Sequence, residues 1–240
     1  MRRVPLDNVK HRDLRVATAY GVQYGDDARV VAVVPQEFRK LVAEYPVFLA
    51  KDPRTGRFNF IVLLGLDQEE NLFLDGPRWD AQYVPLNARR GPFVVGRAST
   101  GQGDANAATI VHIDLDSRRI QQTNGEPLFR EDGTQTPYLQ GVGSVLAELM
   151  VGIDTARSLL GKLELHDLIE PVQIHGRLAD GTEFAPDGLY TIHEQRLRDL
   201  SAESIVELHR AGYLEQMYLV IASLQRVADL VSRKNRRLSR

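Results

Sequence analysis

The chain has 240 residues, 30 Lys+Arg against 32 Asp+Glu, and no cysteine. Disulfide frameworks, thiolate zinc sites, iron–sulfur clusters and cysteine nucleophiles are therefore excluded. A formal net charge of −2 gives no general attraction to nucleic acid, and 43% hydrophobic with 26% charged residues is ordinary globular composition.

Near the start, Asp7, Lys10, His11, Arg12, Asp13 and Arg15 interrupt every apolar run. No secretory signal is expected, and the cytoplasm is the expected location. The most apolar stretch, Phe58–Leu66, falls well short of the roughly 20 residues a membrane-spanning helix needs. Ala28–Val34 is a β-branched run that ends at Pro35. Phe38, Leu41, Val42 and Tyr45 then recur at i, i+3, i+4 and i+7, which predicts a helix over Gln36–Tyr45 stopped by Pro46. Val47–Ala50 and Phe58–Leu64 read as strands, and the Asp-Pro and Thr-Gly pairs of Lys51–Arg57 favour a hairpin between them. Glu70–Asp75 and Pro92–Val95 are further short strands. Ser99–Ala108 is small and polar, the composition of a loop, and Thr109–Leu115 is another strand.

The period then changes. Leu146, Leu149, Ile153, Ala156, Leu160 and Leu163 predict a helix over Val142–Ile169, with Gly152 and Gly161 as weak points. Pro171–Leu178 and Leu189–Ile192 read as short strands, and Ser201–Arg210 as a serine-capped helix. Leu214–Val231 reads as one long helix with a stripe of Leu214, Met217, Ile221, Leu224, Ala228 and Val231. The expected class is α+β: a strand-rich N-terminal half (1–135) packed with a mainly helical C-terminal half (136–240), in a single domain without an internal linker.

Glu70–Gly96 reads ENLFLDGPRWDAQYVPLNARRGPFVVG. This string resembles the signature of the bacterial SapC-like family, in which Asn-Leu-Phe precedes a Trp, a Tyr-Val-Pro and an Arg-Arg-x-Pro-Phe. Glu37-Phe38 with Tyr45-Pro46, Leu63–Gly65, Gly125–Phe129 (GEPLF), Leu189–Glu194 and Ser223-Leu224 agree in order. The resemblance thus runs from residue 10 to residue 233. It implies a link to the bacterial envelope, since the family takes its name from an association with a paracrystalline surface layer. It also implies a link to nutrient uptake, since related genes lie beside those for TonB-dependent receptors and flavin-dependent halogenase-like enzymes. No agreed catalytic residues come with it.

Trp79, Tyr83, Arg89 and Arg90 are the candidate ligand-binding residues. A guanidinium can grip a carboxylate or phosphate with two N–H groups, and Trp or Tyr can stack on a planar ligand. A structural role fits the same residues: Trp79 and Phe93 in the core, and the arginines paired with Asp75 and Asp80. On that reading Arg90 is a buried, paired guanidinium. His112 and Asp114 share one face of a strand and form the candidate metal pair, which His166 would complete as a two-His-one-carboxylate set. The alternation of Val111, Ile113 and Leu115 with His112, Asp114 and Asp116 equally describes a sheet with one wet face. His175 and His193 are candidate general bases. Gly141–Ser144 reads as a flexible helix N-terminus, and Asp26-Asp27 as a charged turn. No Gly-x-Ser-x-Gly elbow is present.

The C-terminal RKNRRLSR holds five positive charges, leaving −7 for residues 1–232. Basic residues at a helix end complement its dipole, and this tail is expected to stay solvated. The functional expectation is a cytoplasmic binding or accessory protein with a small-molecule or protein partner and no specific nucleic-acid binding. The alternatives are a small-molecule-modifying enzyme, metal-dependent through His112 and Asp114, and a structural surface-layer component. The sequence specifies no cofactor.

Overall fold

The hairpin expected around Lys51–Arg57 forms, with Val47–Lys51 antiparallel to Phe58–Leu63 and Leu49 opposite Phe60. The structure is a computed structural model that describes residues 2–97 and 109–239, so the expected Ser99–Ala108 loop lies outside the described residues. Antiparallel strands dominate the N-terminal half and helices the C-terminal half, as the α+β reading requires. The chain divides into two compact units. Unit 1 takes Met1–Asp26, Asp75–Trp79 and Leu86–Met150; unit 2 takes Asp27–Leu74, Asp80–Pro85 and Val151–Arg240. Each unit gathers three separate stretches, and for that reason no linker composition marks a border.

In unit 1, Thr109–Asp114 is the middle strand of three, between Arg3–Pro5 and Phe93–Arg97. A second small sheet places Arg15–Val16 between Ile120–Gln121 and Glu126–Pro127. Gly125 makes that approach possible: its φ is 98°, and a Cβ there would sit 2.5 Å from the Val16 carbonyl oxygen. Val16, Phe93, Ile113, Leu128, Leu139, Val142 and Leu146 form the core.

The long helix Pro137–Leu165 starts five residues before the expected one and runs unbroken through Gly152 and Gly161. Pro137 suits its first turn, and Thr136 caps it, its Oγ1 accepting from the Leu139 N–H at 3.3 Å. Gly141 and Gly143 therefore lie inside the helix rather than at its N-terminus. Gly152 has a packing reason, since a Cβ there would meet Val34 at 2.5 Å.

In unit 2, five antiparallel strands run in the order Ile169–Pro171, Leu189–Ile192, Val47–Lys51, Phe58–Leu63 and Val30–Ala32. The helix Tyr213–Ser223 packs on the two strands at Val47–Lys51 and Leu189–Ile192. The core is aromatic and aliphatic: Phe38 meets Phe60 edge to face at 5.1 Å, and Phe48, Leu63, Met217 and Val220 are fully buried. Only Phe38–Leu41 of the expected Gln36–Tyr45 helix is α-helical, after a 3₁₀ turn at Pro35–Glu37. Of the expected Glu70–Asp75 strand only Leu74–Asp75 forms, and of Pro171–Leu178 only Pro171 and Gly176–Arg177 lie in strands. Ser201 caps Ala202–Arg210 as expected.

The single helix expected over Leu214–Val231 is two, Tyr213–Ser223 and Arg226–Leu238. Ser223 is the physical cause. Its hydroxyl donates to the Val220 carbonyl at 2.6 Å and accepts from the Val47 N–H at 2.9 Å, diverting the helix's own hydrogen bonding. Among the described residues no helix is long and apolar enough to cross a membrane.

Candidate functional site

A buried guanidinium organises one end of unit 1. The Arg119 side chain is only 7% exposed and meets an Asp26 carboxylate that is 11% exposed. Nη2 donates to both Asp26 oxygens, at 2.7 and 2.6 Å, and Nη1 donates to the carbonyls of Ala17 and Ala19 at 2.9 and 2.8 Å. The Tyr20 and Tyr24 rings lie 5.5 and 5.2 Å from the guanidinium. Charge, hydrogen bonds and π faces together satisfy this cation, which is what burial of an arginine demands. Asp26 also accepts the Gly21 N–H at 2.9 Å, so the turn the sequence suggests is tied to a second turn 93 residues away.

Beside this pair opens a cavity of about 330 Å³. Tyr20, Arg89, Tyr138 and Gly141 line it, with Ala17, Ala88, Val142 and Val145 as its apolar surface. Gly91 completes the turn after the short helix Leu86–Arg89 with a φ of 56°, close to the Tyr138 hydroxyl. Among the described residues, Arg89 and the Tyr20 and Tyr138 hydroxyls have no hydrogen-bonding or ion-pair partner, in contrast to Arg119. Burial raises the pKa of Tyr20, Asp26 adding to the rise while Arg119 and Arg89 oppose it. Burial pushes Tyr138 up to about 12, against a smaller pull from Arg119. Both phenols are therefore donors at neutral pH. The cavity offers a free cation and two free hydroxyls above an apolar floor.

Two other hollows are larger. One of about 570 Å³ in unit 1 is lined by Leu6, Ile110, Phe129 and Leu146, and its Asp7 carboxylate is already bonded to the Val9 and Lys10 amides. One of about 480 Å³ in unit 2 is lined by His175, Tyr190 and an Asp187 that faces Arg29 at 3.5 Å. Among the described residues neither is lined by an arginine or a lysine, although Gln173, His175 and the Tyr190 hydroxyl bring polar groups to the second.

The SapC family profile matches residues 6–230, nearly the whole chain and both units. The chain belongs to the SapC family. No curated protein and no solved structure matches it.

Of the four candidate binding residues in this SapC-family chain, Arg89 lines the cavity. Trp79, 8% exposed, stands behind it with its ring edge to face on Tyr20 at 5.3 Å. Tyr83 belongs to unit 2, where its hydroxyl donates to Glu37 at 3.1 Å and Lys40 lies over its ring. Arg90 points elsewhere in unit 1, donating to Asn87 Oδ1 at 3.0 Å and to the Phe93 carbonyl at 2.7 Å. Burial lowers its pKa, helped by Arg3 and opposed by Asp114. The expected carboxylate partners are engaged by other arginines, Asp75 by Arg78 and Asp80 by Arg233.

His112 and Asp114 do share the face opposite the buried Ile113. The His112 ring lies over Gly96 with Nδ1 3.2 Å from the Ile110 carbonyl, and Asp114 accepts the Asp116 N–H. His166 belongs to unit 2, and among the described residues no group of three His, Asp or Glu side chains is placed to hold a metal. His193 caps the helix Glu194–Arg198, accepting from the Arg196 N–H at 3.4 Å.

Sequence reasoning missed Tyr20, Asp26, Arg119 and Tyr138. Arg119 stands in an Asp-Ser-Arg-Arg turn with nothing to distinguish it from Arg118. Its partners come from strands and turns that only the fold assembles.

The basic C-terminal tail is not simply solvated. Arg233 donates to Asp80 at 2.6 Å and lies over the Phe73 ring, Lys234 meets Asp67 and Glu70 at 2.7 and 2.6 Å, and Arg237 donates to the Leu74 carbonyl. Burial opposes the Lys234 charge, yet the two carboxylates outweigh it and raise its pKa. These cations are occupied within unit 2.

Proposed function

We propose that this SapC-family protein is a small-molecule binding or accessory protein, that its ligand occupies the Arg89 cavity, and that it acts in the cytoplasm with a partner system of nutrient uptake or the cell envelope. One observation carries the reading: among the described residues, Arg89 and the Tyr20 and Tyr138 hydroxyls on the cavity wall have no hydrogen-bonding or ion-pair partner, while the neighbouring Arg119 is paired with Asp26. A polar group that folding leaves unpaired beside an apolar hollow is a group available to a ligand. Its volume sits at the small end of the range for ligand pockets.

Amide-resolved NMR of the full chain with a broad fragment mixture tests the reading. Shifts are expected to cluster at Tyr20, Gly91 and Tyr138, and to vanish in Gly141→Phe, where a large side chain enters open space. A mixture that moves none of these amides refutes it. Cell fractionation checks the location, and recovery in the envelope fraction would overturn that part.

A further inference from the structure

We propose that the cavity takes a small organic carboxylate, its acid group at Arg89 and within reach of the Tyr20 and Tyr138 hydroxyls, its apolar remainder against Ala17, Ala88, Val142 and Val145. The inference rests on the binding reading above and names the chemistry that the site selects.

Charge decides the class. Asp26 neutralises Arg119, so among the described residues Arg89 is the guanidinium on the cavity wall without a paired carboxylate. A single unbalanced cation matches a monoanion. Phosphate sites recruit several cations or the free amides of a helix start. Here the start of Pro137–Leu165 is already capped, with the Leu139 and Gln140 N–H groups directed to Thr136. The remaining polar groups are hydroxyl donors, which complement carboxylate oxygens.

Position decides the orientation. Arg89 is exposed and marks the mouth, whereas Val142 and Val145, 4% and 6% exposed, mark the floor. Gly141 on the cavity wall is exposed, and a Cβ there would meet no atom within 4 Å, so the wall stands open at that point.

The test uses benzoate, benzamide and phenyl phosphate on the full chain, read by amide shifts and by the emission of Trp79, the sole tryptophan, which touches Tyr20. Benzoate is expected to bind at the cavity amides and benzamide to bind at least tenfold more weakly. Arg89→Leu should weaken benzoate by roughly tenfold to a hundredfold, as loss of a charged hydrogen bond does, with benzamide unaffected. Tyr138→Phe should weaken benzoate by a smaller factor. Equal binding of benzoate and benzamide overturns the carboxylate assignment and leaves the binding reading standing. Tighter binding of phenyl phosphate than of benzoate overturns it in favour of phosphate. Failure of all three probes where neutral fragments of other shapes still bind overturns it alone, and failure of every fragment removes both.

Discussion

The two units bury different things. Unit 2 is held by a five-stranded sheet and a core of fully buried aromatic and aliphatic side chains, Phe38, Phe48, Phe60 and Leu63 among them. Unit 1 has a smaller apolar core and, beside it, a nearly buried ion pair between Arg119 and Asp26 flanked by two tyrosines. A buried ion pair is a poor way to gain stability, because desolvation takes back most of the attraction. It is a good way to fix positions, since four hydrogen bonds from one guanidinium tie residues 17, 19 and 26 to the turn at 119. Tyr20, which faces the cavity, lies within that tied segment. The contrast places the apolar investment in one unit and the positional precision in the unit that holds the candidate site.

The largest expected effect breaks that precision. Asp26→Asn or Arg119→Met alone should lower unfolding stability by about 3–5 kcal/mol, because each leaves a buried charge or its donors uncompensated. Asp26→Leu combined with Arg119→Met should recover much of the loss in urea denaturation, yet broaden the Tyr20 and Gly91 amide signals. Single variants within ~1 kcal/mol of wild type would show the pair to be ornamental.

In unit 2 the counterpart is Ser223→Ala, which deprives the buried Val47 N–H of its acceptor and should cost about 1–3 kcal/mol by the same measurement. It should leave the cavity amides unmoved. A response there would erase the distinction between the units.

A subtler contrast is in titration. Tyr138, at about 12, should ionise well after an ordinary tyrosine at 10.0, and Tyr138→Phe should remove that late component from the ultraviolet absorbance titration. Because burial raises its pKa in the folded state, the stability linked to this group is intact below pH 10 and is lost as pH climbs toward 12. An ordinary titration for every tyrosine would contradict the burial of that phenol.

The smallest effect is a gain. Gly141→Ala should stabilise the protein by up to about 1 kcal/mol, since the helix favours alanine and no atom opposes its Cβ. The same change adds a methyl group to the cavity wall and should weaken cavity ligands slightly.

What the sequence disclosed follows from how far each signal reaches. Alternation and turn chemistry over Val47–Leu64 act within one hairpin, and the hairpin is as read. Ser201 caps its own helix and was equally legible. The break at Ser223 was hidden because its cause is a backbone amide 176 residues away. Segment 70–75 carries strand-like residues but Asn71 turns the backbone, its Oδ1 accepting the Phe73 N–H at 2.9 Å. Arg89 stood out by its company of Trp, Tyr and Pro. Tyr83 and Arg90 shared that company, but Tyr83 falls in unit 2, and Arg90, in unit 1 beside Arg89, turns to Asn87 and the Phe93 carbonyl instead.

That alternating path has a cost during synthesis. The strand Val47–Lys51 emerges early and pairs at once with Phe58–Leu63, but its other edge waits for Leu189–Ile192, and its first amide waits for Ser223. Until then an apolar sheet edge has no covering strand, the situation that invites association between nascent chains. Unit 1 likewise cannot seat Ala17 before Arg119 is made, 102 residues later. Neither unit can be produced by cutting the gene at one point, and slow, concentration-sensitive refolding is the behaviour to expect from such long-range closures.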